Sequence, residues 1–182
     1  MKSLIRTTTP LALAVLLSAC GNNAGKENTA AHEHADHDHS EMPHTTSAVQ
    51  LKDDKLNAVY PHYIHLTNAL INGDAAEAKI AGNAIAAGTA GMSGADAVRS
   101  AANTITSATD IEAQRVAYST LSNDFIALVK QSGLKSGELY VDFCPMALDN
   151  QGAYWLSAGK EIKNPYFGEK MMTCGEVKET LE

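Results

Sequence analysis

Apolar side chains recur every three or four residues through the middle of the chain, which is the spacing of helices that bury one face. The first such stretch begins near Leu51 and stops at Gly73, and Pro61 inside it should kink the helix or restart it. A second helix, rich in small residues, should begin at Asp74 and end near Gly88. The pattern thus predicts two helices in succession.

Two more helices are predicted before the pattern changes. The third, within GADAVRSAANTITSA, has the weaker signal. The fourth is stronger, because Thr109 and Glu112 form a capping box at its start and Gly133 is placed as its C-terminal stop. Its apolar residues fall on one face: Ile111, Tyr118, Leu121, Phe125 and Leu128. The predicted fold class is therefore mainly α, an antiparallel bundle of about four helices.

After the fourth helix the period changes from helical to alternating. Leu139, Val141 and Phe143 alternate with Tyr140 and Asp142, which predicts a strand. The sequence LDNQG is typical of a turn, AYWLS predicts a short second strand, and KNPYFG carries loop signals. We therefore expect a small C-terminal β-hairpin and loop cap on the bundle.

The composition fits one domain with tails. The chain has 182 residues, of which 45% are hydrophobic, enough for one core. Aromatic residues make up only 5% while alanine is abundant, which favours close-packed helices over a β-sandwich. The net charge is −7 and no basic stripe offsets it, so we do not expect nucleic acid as a partner.

The first 19 residues have the layout of a secretory leader. Lys2 and Arg6 precede the short apolar run LALAVLL, and small residues lead up to Cys20. The sequence LSAC resembles the lipobox of bacterial lipoproteins, which implies cleavage before Cys20 and lipidation of its thiol. Gly21 fits, by resemblance, the sorting pattern for an outer membrane anchor facing the periplasm. The alternative is an ordinary signal peptide that happens to contain a cysteine.

Residues 20–50 are expected to form a flexible tether between this leader and a folded domain at 51–182. The residues of the tether are polar and small, and its apolar positions follow neither the helical nor the strand periodicity. Its histidines alternate with acidic residues, and imidazole and carboxylate are ligands for Zn, Ni and Cu(II). These histidines are His32, His34, His37, His39 and His44. We expect loose metal binding here; the alternative is a solvated linker that binds metal only adventitiously.

Sulfur is concentrated near the C-terminus, and three interpretations of it are open. Cys144 and Cys174 could form a disulfide in the oxidising periplasm, closing a loop of about 30 residues. The neighbouring Met146, Met171 and Met172 could be core filler. The third interpretation is a soft-metal site.

The metal interpretation follows from ligand chemistry. Thiolate and thioether are soft ligands that select Cu(I) over Zn. Cys144 and Met146 can share a strand face, while Met171 and Cys174 are spaced to share one turn. These four residues are the expected copper(I) ligands, and Met172 is expected to pack instead. The disulfide and metal interpretations combine if oxidation removes the thiolates and releases the metal.

The motifs FCPMA, GAYWLS, NPYFG and MMTCG resemble the signature of domain of unknown function 3347. Members of that family are secreted or lipid-anchored, or are fused to adaptor subunits of heavy-metal efflux pumps. The resemblance runs from about Leu51 to Glu182 and implies copper handling, with efflux components as partners. Phe143 stands where many members carry a histidine before the first cysteine. The chain either lacks this ligand or replaces it with a histidine of the tether or of the first helix, where His62 and His65 are the candidates. The alternative for His62 and His65 is a surface or core role.

The sequence as a whole favours a binding protein. We expect an envelope lipoprotein, attached to the membrane by its lipid, that binds copper(I) for periplasmic buffering or delivery to efflux. The alternative is a non-metal structural or interaction domain with a Cys144–Cys174 disulfide. Enzymatic activity is not expected, because the chain has no Ser-His-Asp order, phosphate loop or CxxC motif.

Overall fold

The computed structural model describes residues 48–182. The leader, the lipidation site Cys20 and the five tether histidines lie outside the described residues. The four longer helices have 12 to 22 residues: α1 (Asp54–Ile71), α2 (Ala75–Gly88), α3 (Asp96–Ser107) and α4 (Ile111–Ser132). Each packs on the next, and α1 also contacts α4. The prediction of a mainly helical chain is confirmed. None of the helices in this part of the chain is both long and apolar enough to cross a membrane.

Helix α1 begins where the sequence offers a side-chain cap. The carboxylate of Asp53 accepts a hydrogen bond from the backbone N–H of Leu56 at 2.8 Å, which satisfies an open donor of the first turn. The helix continues through Pro61 without the predicted restart, because its buried face is packed on both sides of the proline. It ends at Asn72, and Gly73 follows in a left-handed conformation with φ of 71°.

The predicted start of α2 is confirmed. The Asp74 carboxylate accepts from the backbone N–H groups of Ala76 and Glu77, both at 3.0 Å. Small residues then let α2 approach α3 closely, since a Cβ at Gly82 would lie 3.0 Å from the Thr106 methyl. The alanine-rich composition therefore reflects close helix packing.

Helix α4 begins one residue later than the predicted capping box. Asp110, not Thr109, is the N-cap, and its carboxylate accepts a backbone N–H of the first turn at 2.8 Å. Glu112 instead pairs with Arg115 at 3.0 Å. A carboxylate at this position interacts favourably with the positive end of the helix dipole, which accounts for the shift. The helix ends at Gly133, as predicted.

Two antiparallel sheets complete the described chain. The first pairs β1 (Gln50–Leu51) with β2 (Leu134–Ser136). The second has the order β4 (Ala153–Ser157), β3 (Leu139–Cys144), β5 (Glu176–Leu181). The two strands expected after the fourth helix are β3 and β4. The sequence does not predict β5, because EVKETL is charged and almost wholly exposed and is held only by pairing with β3.

Buried hydroxyl groups join the second sheet to the helices. The Tyr63 hydroxyl on α1 accepts the backbone N–H of Leu156 on β4 at 2.9 Å, and it lies 2.8 Å from the Ser122 hydroxyl on α4. The Tyr118 hydroxyl donates to the Tyr63 hydroxyl at 2.9 Å. The Phe125 ring stacks on Tyr63 with centroids 4.5 Å apart. Because buried polar groups are costly when unpartnered, this network fixes where the sheet docks.

Candidate sulfur site

Two cysteines meet beside the second sheet. Cys144 is the last residue of β3, and Cys174 lies two residues before β5. They are joined in a disulfide, with Cα atoms 5.8 Å apart and a sequence separation of 30. Cys144 is fully buried, whereas Cys174 is partly exposed. The structure therefore contains the disulfide that the sequence leaves open as one of three interpretations.

The position of Cys144 is set by the central strand. Strand β3 pairs with β4 on one side and with β5 on the other, and Cys144 lies opposite Ala153. Residues directly opposite each other point to the same face of a sheet, and so do alternate residues of one strand. Cys144, Asp142 and Trp155 therefore share one face. Strand β4 pairs with Cys144 itself, whereas the pairing with β5 ends one residue earlier, at Phe143, so the backbone of Cys144 is held directly on the β4 side.

The position of Cys174 is set by hydrogen bonds of the loop before β5. Its N–H donates to the carbonyl of Met171 at 3.1 Å, and its carbonyl accepts from the side-chain amide of Asn164 at 2.7 Å. The next residue, Gly175, has φ of 146°, and a Cβ there would lie 2.8 Å from the Trp155 ring. Glycine is therefore required for the chain to pass over the indole into β5.

The methionines are close in sequence to the disulfide but outside the buried core. Met146 is 46% exposed. Met171 and Met172 are partly buried, and neither belongs to the hydrophobic core of the described residues. Met172, for which the sequence predicts packing, uses its backbone carbonyl to accept the N–H of Asn164 at 2.8 Å. Core filling is therefore the interpretation with the least support.

The chain leaves Met146 through a left-handed turn. The φ angles are 53°, 55° and 65° at Leu148, Asp149 and Asn150. Residues other than glycine seldom adopt this conformation. The turn is closed by the Gly152 N–H, which donates to the carbonyl of Ala147 at 3.0 Å. The sequence LDNQG predicts a turn here but not its hand. Such backbone strain concentrates at functional sites, and here it follows one of the expected copper ligands.

The sheet face that carries Cys144 also buries an unpartnered carboxyl group. Asp142 is 0% exposed, and neither of its oxygens has a hydrogen-bond partner among residues 48–182; the same holds for Nε1 of Trp155 opposite. Burial raises the pKa of Asp142 to about 6. The predicted alternation places Asp142 on a polar face, which is wrong, since β3 is buried on both faces. The signal for this was the nearly unbroken apolar run of LYVDFC.

The two histidines of α1 are exposed. Nε2 of His65 lies 2.9 Å from a carboxylate oxygen of Glu77 on α2, so its partner is a helix residue. Within residues 48–182, no group of three or more His, Cys, Asp or Glu side chains is arranged to hold a metal. A metal near the disulfide would therefore depend on two cysteines together with methionine sulfur.

These features define a small helical domain whose C-terminal sheet is closed by a disulfide. Residues 59–137 match the family described as "Protein of unknown function (DUF3347)", which confirms the predicted family resemblance for this segment. The match covers most of α1, all of α2 to α4 and β2, and it ends before β3. The sulfur residues thus lie beyond the matched segment. No curated protein and no solved structure matches the chain.

Proposed function

We propose that this chain is an envelope lipoprotein that binds copper(I) through Cys144, Met146, Met171 and Cys174, for periplasmic copper buffering or delivery to efflux. One observation carries the proposal: two cysteines separated by 30 residues have Cα atoms 5.8 Å apart, and each has a methionine within three residues. Thiolate and thioether sulfur together select Cu(I) over hard divalent cations. Anchoring by a lipid on Cys20 and loose binding of Zn, Ni or Cu(II) by the tether are parts of the same proposal.

Copper binding requires the reduced form of the cysteine pair. An external dithiol supplies two electrons and two protons, which convert the disulfide into two thiols while the dithiol becomes a disulfide. Each thiol then releases its proton when its thiolate binds the ion. In the reverse direction, an external disulfide accepts two electrons and becomes two thiolates, while Cys144 and Cys174 re-form their disulfide and release the metal. On this proposal, the disulfide in the structure is the metal-free state of the site.

The exposure of the sulfur residues is compatible with metal uptake from solvent. Met146 is 46% exposed and Cys174 is partly exposed, while Cys144 is buried at the end of the central strand. An ion arriving from solvent would therefore meet the exposed sulfurs first. The helices act as a scaffold in this proposal, and we take the architecture to be an antiparallel bundle that carries the C-terminal strands and loop as a small cap.

The second candidate is a structural or interaction domain that uses no metal. The disulfide itself favours it, because a bond that closes a loop of 30 residues stabilises a small domain without any further ligand. In that case the cysteines matter only for stability, and the methionines have no shared role.

A copper(I) titration separates the two candidates. The mature chain is reduced and purified without oxygen, with the five tether histidines replaced by serine, and is titrated with Cu(I) against a coloured Cu(I) chelator. We expect one ion per reduced chain and none for the oxidised chain. Cys144→Ser and Cys174→Ser should each abolish tight binding, because a hydroxyl is a hard and poorly ionised ligand.

The methionine variants test the rest of the ligand set. Met146→Leu and Met171→Leu should weaken binding while the fold is kept, because such apolar swaps cost under about 1.5 kcal/mol. Met172→Leu is the matched control and should bind copper like the unmodified chain. If the reduced chain takes up no more Cu(I) than a variant lacking both cysteines, the copper proposal is wrong and the disulfide domain stands.

A further inference from the structure

We propose that Asn164 is the positioning residue of the sulfur site and that it holds the segment from Met171 to Cys174 in place whether or not the disulfide is present. The consequence for copper rests on the function proposed above. The positioning itself rests on contacts that involve no sulfur atom.

Asn164 ties down the segment at two points. Its side-chain nitrogen donates to the carbonyl of Cys174 at 2.7 Å. Its backbone N–H donates to the carbonyl of Met172 at 2.8 Å. Asn164 is fully buried, whereas Met172 and Cys174, whose carbonyls accept these bonds, are partly exposed. One residue thus fixes the backbone on both sides of Thr173, and with it the direction from which Cys174 approaches Cys144.

The orientation of the Asn164 amide is determined by its other bonds. The side-chain oxygen accepts the backbone N–H of Tyr166 at 2.8 Å and that of Phe167 at 3.3 Å. The backbone carbonyl of Asn164 accepts the N–H of Gly168 at 3.1 Å. Because the oxygen faces two donors, the nitrogen must face Cys174. Aspartate has the same shape, but it would place a second acceptor against the Cys174 carbonyl.

The loop that carries Asn164 is anchored to the rest of the domain without the disulfide. The buried guanidinium of Arg115 on α4 donates to the carbonyl of Pro165 at 2.9 Å and to the carbonyl of Leu70 on α1, also at 2.9 Å. The Tyr166 hydroxyl donates to the carbonyl of Tyr154 on β4 at 2.6 Å. Asn164 is therefore held by α1, α4 and β4, and it transmits that fixed position to Cys174.

Two thiols that are already adjacent form a disulfide, or share a metal, with less loss of conformational freedom. Cys144 is held by the central strand and Cys174 by Asn164, so the reduced protein keeps both near their bonded positions. A variant that frees Cys174 should shift the equilibrium toward the dithiol. The same variant should also lower copper(I) affinity, since the segment that carries Cys174 must then become ordered when the ion binds.

The test measures the dithiol–disulfide equilibrium of the mature chain in glutathione buffers, without copper. Asn164→Asp should favour the dithiol by about tenfold relative to the unmodified chain, the ratio expected for a buried hydrogen bond that is lost. Asn103→Asp, an exposed asparagine on α3, is the matched control and should leave the ratio unchanged. If Asn164→Asp lowers the melting temperature but keeps the ratio, Asn164 is only structural and the proposal is overturned.

A second measurement needs no variant and covers the case in which Asn164→Asp does not fold. Hydrogen exchange of the unmodified chain reports the Asn164 N–H, which is bonded to Met172, and the Cys174 N–H, which is bonded to Met171. Both should stay protected after reduction by a dithiol. Loss of their protection on reduction would show that the disulfide, not Asn164, holds the segment. A chain that binds no copper but keeps this protection refutes the proposed function and leaves the positioning role intact.

Discussion

Replacing Asp142 with asparagine should stabilise the protein at neutral pH. The carboxyl group is fully buried, its oxygens have no partner among the described residues, and burial raises its pKa from 3.8 to about 6. The folded chain therefore holds this proton more tightly than the unfolded chain does. The contribution of this bound proton to the unfolding free energy is fully present below pH 3.8 and is lost as the pH rises through about 6.

The size of the effect follows from the two pKa values. A rise of the pKa from 3.8 to about 6 corresponds to about 3 kcal/mol of unfolding free energy once the pH is well above 6. Asparagine has the same shape as aspartate and carries no charge at any of these pH values. Asp142→Asn should therefore raise the unfolding free energy by about 3 kcal/mol at about pH 7.5 and by little at about pH 4.

Urea unfolding at several pH values tests this prediction with the disulfide intact. Trp155, the single tryptophan of the chain, lies opposite the substituted residue and reports unfolding by its fluorescence. Asp124→Asn, at a partly exposed carboxyl on α4, is the control for loss of one negative charge. An equal gain at both pH values, or no gain at neutral pH, would refute the reasoning from burial.

Three further predictions concern the bonds that hold the C-terminal strands and loop. Opening the Cys144–Cys174 disulfide with a dithiol should lower the unfolding free energy by about 3–4 kcal/mol in urea titrations while the helical circular dichroism persists, and an unchanged midpoint would contradict this. Arg115→Met should lower the unfolding free energy by about 3 kcal/mol, because two buried backbone carbonyls lose their donor. A loss below about 1 kcal/mol in calorimetry would mean that water replaces the guanidinium. Gly175→Ala should lower the melting temperature more than Gly73→Ala. Alanine tolerates φ of 71° better than φ of 146°, and only the new methyl at Gly175 meets an aromatic ring, at 2.8 Å; equal losses would contradict both arguments.

Local signals in the sequence predict the elements that depend on local interactions. The start of α2 at Asp74 and the end of α4 at Gly133 follow from the capping chemistry of single residues. Strand β5 could not be predicted in this way, because its exposed, charged sequence is a strand only through its bonds to β3. Asp142 was assigned to the wrong environment because burial of the second face of β3 depends on tertiary contacts, such as the packing of Tyr166 against Trp155 opposite Asp142.

The same distinction between local signals and tertiary contacts applies to the candidate site. The spacing of sulfur residues indicated that Cys144 and Cys174 could come together, and the disulfide was among the interpretations. Asn164 could be recognised only as part of an Asn-Pro turn, since its bonds to Met172 and Cys174 link residues that the sequence does not place side by side. A positioning residue that acts through backbone carbonyls leaves no pattern of side-chain types to detect.

The strand order β4-β3-β5 makes the two cysteines unequal once the disulfide is opened. Cys144 ends a strand with a neighbour on each side and is fully buried, whereas Cys174 precedes an edge strand and is partly exposed. When the disulfide is opened, Cys174 is therefore the more accessible of the two thiols. If the cysteines bind copper(I) as proposed, this asymmetry gives an order to the exchange of the ion with a donor or acceptor. An incoming ligand would meet Cys174 first, and Cys144 would be the last to bind an ion on entry and the last to release it.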